Sequence, residues 1–516
     1  MTALDRLNEW VSYELSSNDY ATKAAEWLAG FYDPKSHLFH VTFEQFKDWS
    51  NDPLEPNAAS SLIGLIHEEC LTLPWKIEST EFEKLSAKVE NMLLHLGSFP
   101  EQTLLPLRNL GVLPLFSTSY LAALLPLRME LKDLTRNNAF TVVLRRVLSR
   151  VFVATTRTDL SEVDPDPIHP FSLFYITRGL KRLQNRIAAA PTEADALTQR
   201  ILDENEMARR FQTYNLRDYG EFERKLSFGT PDFDKFVGGH HLSDCIQRTL
   251  RALEENCLSV VLNELARASR SATKGPDVDA AGTAFAMRAL ADINLSRHKT
   301  LLIQGLRAVL LSVDRTGFSA GRPFHSDEKG RALFVPSLSI GNSALAVFLL
   351  CHQWLSIADR DLAVSVTTML HDELLENWVS FDRKGKPAVS GWFSDRAPSN
   401  ARVDSWVTAQ ALGFFARRLN MMRTIKRRDI LLEYGWTPYP PTRPDWDKMQ
   451  DPDVGHFAIG LKDRLLEAVN NRDGGRAPTF VLYGPPGTAK TTLVQALAVK
   501  LGWDLITLSR FHLRQP

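Results

Sequence analysis

The chain has 516 residues, 44% hydrophobic and 24% charged, and its 61 Lys plus Arg balance 61 Asp plus Glu. That length predicts about two to four domains, and the absence of net charge denies a nucleic-acid partner any global electrostatic support. Four scattered cysteines (Cys70, Cys245, Cys257, Cys351), none in a C-x-x-C pair, argue against a zinc knuckle or disulfide framework and fit a reducing, cytoplasmic setting.

The N-terminal stretch "MTALDRLNEWVSYELSSNDYATKAAEWLAGFY" has no basic-then-apolar signal pattern and predicts an amphipathic helix. Apolar residues recur at three- and four-residue steps through most of residues 1–432, for example in "FEKLSAKVENMLLHL" and "LAVSVTTMLHDELLENWVSF". Breaker-rich segments such as "DPDPIHP" and "SDRAPSNA" separate these helices, and alternating strands are scarce. The longest apolar run, "ALAVFLL", is too short for a membrane span, which needs about 20 residues.

Helix openings repeat. "TAFAMRAL" starts at Thr283, "SALAVFLL" at Ser343 and "TAQALGFF" at Thr408, in steps of 60 and 65 residues. Weaker relatives start at Ser60, Ser119 and Ser172. A unit of that length holds two helices and must stack on neighbours to bury its apolar face. Two readings are open: an irregular bundle, or a ring of helical hairpins with small residues lining close-packed inner helices. In the second reading residues 1–432 loosely resemble the α/α-toroid class, which includes terpenoid cyclases and prenyltransferases.

That resemblance directs attention to "DVDAAGTAFAMRAL". Class II terpenoid cyclases use a D-x-D-D motif followed by Thr-Ala; here Asp277 and Asp279 precede Thr283-Ala284, but Ala280 stands where the last carboxylate would be. The alternative is a loop aspartate and a helix N-cap. An apolar or isoprenoid ligand could sit among Trp392, Phe393, Trp406, Phe414 and Phe415, or these rings could be plain core. His240-His241 and His67 with Cys70 have no third ligand at metal-binding spacing. "HDELLE" at 371–376 is expected as an exposed acidic turn, and Arg423, Lys426, Arg427 and Arg428 as a solvated helix face.

Residues 433–456 carry five prolines and several aromatics and predict an extended linker. A second domain is expected over 457–516. "LKDRLLEAV" predicts a helix, "TFVLY" a buried parallel strand, and "TLVQALAVKL" another helix.

Between the strand and the last helix lies Gly484-Pro485-Pro486-Gly487-Thr488-Ala489-Lys490-Thr491, followed by Thr492. Strand, Gly-rich loop, Lys-Thr and helix form the phosphate-loop layout. Gly484 suits the sharp exit from the strand, and Gly487 lets backbone approach phosphate. Successive N–H groups and the positive helix end make an anion cradle, Lys490 adds charge for the outer phosphates, and the Thr491 hydroxyl is placed to ligate Mg²⁺. Ala489 departs from the pattern, where a second glycine is usual.

"LYGPPGTAKTTLVQALA" and the preceding helix resemble the AAA+ ATPase family over about sixty residues. The resemblance implies ATP and Mg²⁺ as cofactors, contacts from residues 484–492, and a motor that remodels macromolecules, with the helical region recognising a protein partner. It also implies a homo-oligomeric ring where the full module is present. The acidic second strand, sensor and arginine finger of that family do not follow "ITLSRFHLRQP", so this truncated α/β segment is expected not to hydrolyse ATP by itself.

Overall fold

The computed structural model describes residues 3–45, 48–49, 56–97, 115–156, 168–203, 231–270, 278–314, 317–319, 321–326, 332–383, 385–396, 401–433, 462, 464–465, 482 and 490–501. Contacts divide the chain into two compact units, Met1–Met422 and Arg423–Pro516. The described residues are mainly α-helical, as the three- and four-residue periodicity predicts.

In chain order the helices are α1 (Ala3–Gly30), α2 (Pro56–Thr72), α3 (Thr80–Gly97), α4 (Leu115–Arg128), α5 (Leu131–Arg136), α6 (Asn138–Thr156), α7 (Pro170–Ala189) and α8 (Pro191–Leu202). They continue with α9 (Pro231–Gly238), α10 (Leu242–Arg270), α11 (Ala280–Leu311), α12 (Ser337–Cys351), α13 (Ile357–Glu376), α14 (Ser405–Glu433) and α15 (Lys490–Leu501).

The six recurring hydroxyl residues all fall on helices and are all buried: Ser60 on α2, Ser119 on α4, Ser172 on α7, Thr283 on α11, Ser343 on α12 and Thr408 on α14. A buried hydroxyl needs a partner. Ser119 and Thr408 donate to carbonyls three and four residues back, and Ser60 Oγ accepts from the Phe39 amide at 2.9 Å. Small side chains let the backbones approach. At Gly179 a Cβ would lie 2.5 Å from the Ala122 carbonyl oxygen, so α7 and α4 touch nearly backbone to backbone.

These helices pack in sequence, α2 on α4, α4 on α7, α7 on α11 and α11 on α12. Asn342 Nδ2 of α12 donates to Gln410 Oε1 of α14 at 2.8 Å, and Arg417 of α14 pairs with Glu69 of α2. α11 is a hairpin made without a loop. Asn294 leaves helical geometry (φ −157°, ψ 88°), and its Oδ1 accepts from the Arg297 amide at 3.1 Å, an N-cap for the returning half. The return brings Gly305 onto Met287.

Strands are short. β1 (Tyr32–Asp33) pairs with β2 (Leu38–Phe39), and β3 (Thr42–Glu44) lies between β4 (Asp48–Trp49) and β9 (Arg402–Asp404), all antiparallel. β5 (His325–Ser326) pairs with β6 (Ala332–Leu333), and β7 (Val379–Arg383) with β8 (Lys386–Gly391). The β3–β9 ladder ties the first hairpins to the start of α14, reinforced by Thr42 Oγ1 donating to Asp404 Oδ1 at 2.8 Å.

Candidate functional site

Within the C-terminal unit, α15 opens at Lys490. Its inner face is set by Leu493, Ala496 and Leu497, at i, i+3 and i+4, which pack with Leu465 and Leu482. Leu482 belongs to the expected strand and Leu465 to the expected leading helix, so residues from both segments meet one face of α15. Gly484, Pro485, Pro486, Gly487, Thr488 and Ala489 lie outside the described residues, as does the expected linker from Tyr434 to His456. Lys490 is half-buried, and Thr491 and Thr492 are exposed on the opening turn. The first turn of a helix leaves its N–H groups without intrahelical partners, and its dipole favours an anion. The two threonine side chains, being exposed, are not consumed by packing.

In the N-terminal unit, the residues singled out from sequence take structural positions. Asp279 caps α11: its Oδ1 accepts from the Gly282 amide at 2.9 Å, and Glu264 Oε2 accepts from its own amide at 2.9 Å. Asp277 lies outside the described residues. Trp392, Phe414 and Phe415 are fully buried and packed together, with Phe415 also against Tyr20 and His371. These three rings pack as core. His240 Nδ1 faces the Phe236 carbonyl at 2.8 Å, while His241 is exposed. His67 Nε2 meets Ser86 Oγ at 2.7 Å, and burial with Arg128 nearby lowers its pKa to about 4. Burial pushes the Cys70 thiol up to about 12. Among the described residues no three His, Cys, Asp or Glu side chains gather as a metal site. In α14, the side chains of Arg427 and Arg428 lie outside the described residues.

A buried ionic cluster lies outside every motif of the sequence. Glu69 of α2 is buried and meets three guanidinium groups: Arg178 of α7, Arg288 of α11 and Arg417 of α14. Burial alone would raise its pKa, but Arg288, Arg178 and Arg417 together hold the carboxyl well below its ordinary value. Arg417 also donates to Asn342 Oδ1 on α12, and Arg288 lies 4.0 Å from the ring centre of Phe174. One carboxylate thus joins three of the recurring helices to its own, and Asn342 brings in a fourth. The sequence carries a trace of this: Glu69 shares the apolar face of α2 with Leu62 and Ile66, and Arg288 interrupts the apolar run "AFAMRALA". The expected exposed turn at 371–376 is also corrected. His371 is buried against α1 and α14, and the exposed residues of the turn are Asp372 and Glu376.

A family model described as "ATPase family associated with various cellular activities (AAA)" matches residues 480–516. No curated protein and no solved structure matches the chain. Among the described residues no helix is long and apolar enough to cross a membrane.

Proposed function

We propose that the chain binds ATP with Mg²⁺ through residues 484–492 and that its helical unit is a scaffold recognising a protein partner, as in an AAA+ remodelling ATPase. The observation that carries this reading is the AAA match over 480–516, coinciding with a helix that opens at Lys490. Lys490 would face the outer phosphates, and Thr491 would offer its hydroxyl to the metal, since that side chain is exposed and not spent on packing. Bound Mg²⁺ would neutralise phosphate charge; the chain's own part is to place N–H groups, one ammonium and two hydroxyls around it. Thr492 would complete the polar opening turn.

The helical unit is read as a ring of hairpins of the α/α-toroid kind. The six recurring helices pack in order, and α14 returns to α2 through Arg417 and Glu69. Where these helices meet at Glu69 the buried side chains are ionic and hydrogen-bonded, which favours a scaffold over a container for an apolar ligand. Calorimetry with ATP and Mg²⁺ on the full chain and on Lys490→Ala tests the ATP reading. Binding by the parent that weakens at least about tenfold in the variant supports it, since a charge-assisted phosphate contact contributes about 1.5–3 kcal/mol. Equal affinity in both removes the loop from the proposal.

A further inference from the structure

One cluster in the helical unit has no part in nucleotide binding. Ser16 Oγ of α1 lies 3.0 Å from His371 Nε2 of α13, and His371 Nδ1 lies 3.0 Å from Asp372 Oδ1. With Nδ1–H donating to the carboxylate, Nε2 accepts from the Ser16 hydroxyl, the tautomer a general base requires. The imidazole is buried, Asp372 is exposed, and Ser16 is half-buried.

The surroundings favour the same chemistry. Arg418 of α14 is buried beside this cluster, donating to Ser17 Oγ at 2.7 Å and to the Tyr13 carbonyl at 3.3 Å, with its Nε–H lacking a hydrogen-bond partner. Burial lowers its pKa to about 10, so it stays cationic at neutral pH. The charged and titratable groups around His371 are Asp372 on its own helix, Arg418 from α14, and Tyr13 and Tyr20 from α1. Burial first, and Arg418 second, lower the His371 pKa against the pull of Asp372, which leaves the ring neutral and able to take a proton. The same guanidinium favours negative charge developing near Ser16, a long-range substitute for a pair of backbone donors, which α1 spends on its own helix. Beside Ser16, Val11 and Leu15 present exposed apolar side chains one turn apart, at 38% and 61% exposure.

We propose that Ser16, His371 and Asp372 form a hydrolytic centre in the helical unit, with Ser16 Oγ attacking esters that carry a short apolar acyl group. In acylation the Ser16 O–H proton passes to His371 Nε2, and the Oγ–carbon bond forms as the carbonyl electrons move to oxygen. Collapse of that adduct breaks the bond to the leaving alcohol, which takes the proton from Nε2. Water then delivers its proton to Nε2 and its oxygen to the acyl carbon; Oγ departs and regains the proton. The sum is ester plus water giving acid plus alcohol. Ser16 and His371 are the catalytic residues, Asp372 is a positioning residue, and Arg418 acts through its field.

The test is labelling of the full chain with an alkyl fluorophosphonate, read by peptide mass and by rate against pH. Labelling at Ser16 is expected, abolished by Ser16→Ala and slowed about 100-fold or more by His371→Gln, the lower range of general-base contributions. Asp372→Asn is expected to move the midpoint of the pH–rate profile downward, because the carboxylate that raises the imidazole pKa is gone. Asp372 is 65% exposed, so its substitution spares the packing and keeps the test decisive if His371→Gln fails to fold. An unlabelled Ser16 in the folded parent, a label that survives Ser16→Ala, or a rate and midpoint untouched by the other two variants overturns the proposal.

Discussion

Replacing Glu69 by Gln tests whether one carboxylate holds the recurring helices together. The substitution keeps the shape but removes the only negative charge that, among the described residues, contacts all three of Arg178, Arg288 and Arg417. Their side chains are 19%, 7% and 4% exposed, so at least two guanidinium groups would remain buried without an anion. Removing one partner of a buried ion pair costs about 3–5 kcal/mol, because the remaining charge keeps its desolvation penalty. With more than one guanidinium orphaned, the upper end, about 5 kcal/mol, is expected. That is a large share of the roughly 5–15 kcal/mol by which domains are stable.

Urea unfolding of the full chain, followed by far-ultraviolet circular dichroism, measures the change as a lower midpoint at similar slope. Arg178→Met supplies the contrast. Arg178 is the most exposed of the three and also faces Asp292 at 3.4 Å, and its loss leaves Glu69 with two partners. About 1–3 kcal/mol is expected there, the range for removing a hydrogen bond to a charged group. A Glu69→Gln loss below about 1 kcal/mol, or one no larger than that of Arg178→Met, would refute the idea that a single anion pins these helices.

His67 has a folded pKa of about 4 against an ordinary 6.5, so between those values the unfolded chain binds more protons and stability falls with acidification. The loss reaches about 3 kcal/mol by pH 4, at 1.36 kcal/mol per unit, and His67→Gln should flatten the stability curve in that window in urea titrations. Glu69 acts in the same direction over a lower pH range: its pKa is also depressed, so its stabilisation is complete above the ordinary carboxylate value and disappears only as pH falls through a lower one. Gly179→Ala would push a methyl to 2.5 Å from the Ala122 carbonyl oxygen and should cost about 1–3 kcal/mol by forcing α4 and α7 apart, visible in thermal melts. Asn294→Ala removes the cap of the returning half of α11 and should lower stability by about 0.5–2 kcal/mol, with faster amide exchange at Arg297.

Helix content was legible from apolar spacing because three- and four-residue steps report a face directly. The burial of Ser60, Ser119, Ser172, Thr283, Ser343 and Thr408 on helices was legible too, since close helix contacts demand small residues. What spacing could not show is where one helix becomes two. "ADINLSR" continues an apolar rhythm across the reversal, and only the dihedral angles at Asn294 reveal that its side chain starts a second helix. Short strands escaped for a related reason. Two- and three-residue ladders such as Thr42–Glu44 against Arg402–Asp404 join segments about 360 residues apart, and no local pattern encodes that partner.

Site chemistry divides along the same line. The proposed phosphate loop is local, eight consecutive residues whose order carries the expectation, so Gly484 to Thr491 suggest it without a fold. The ionic hub and the serine–histidine pair are assembled from distant places: Glu69 with Arg417, and Ser16 with His371. Their members look unremarkable in isolation, and "HDELLE" reads as a solvated turn because four of its six residues are polar. The clue that was present is the cost of the exception. A charged residue on an apolar helix face cannot remain there alone, so Glu69 beside Ile66 and Arg288 within "AFAMRALA" each require an opposite partner somewhere in the chain. Such exceptions, paired across helices, join Glu69 to a buried cation on another helix and so place α2 beside α7, α11 or α14 without coordinates.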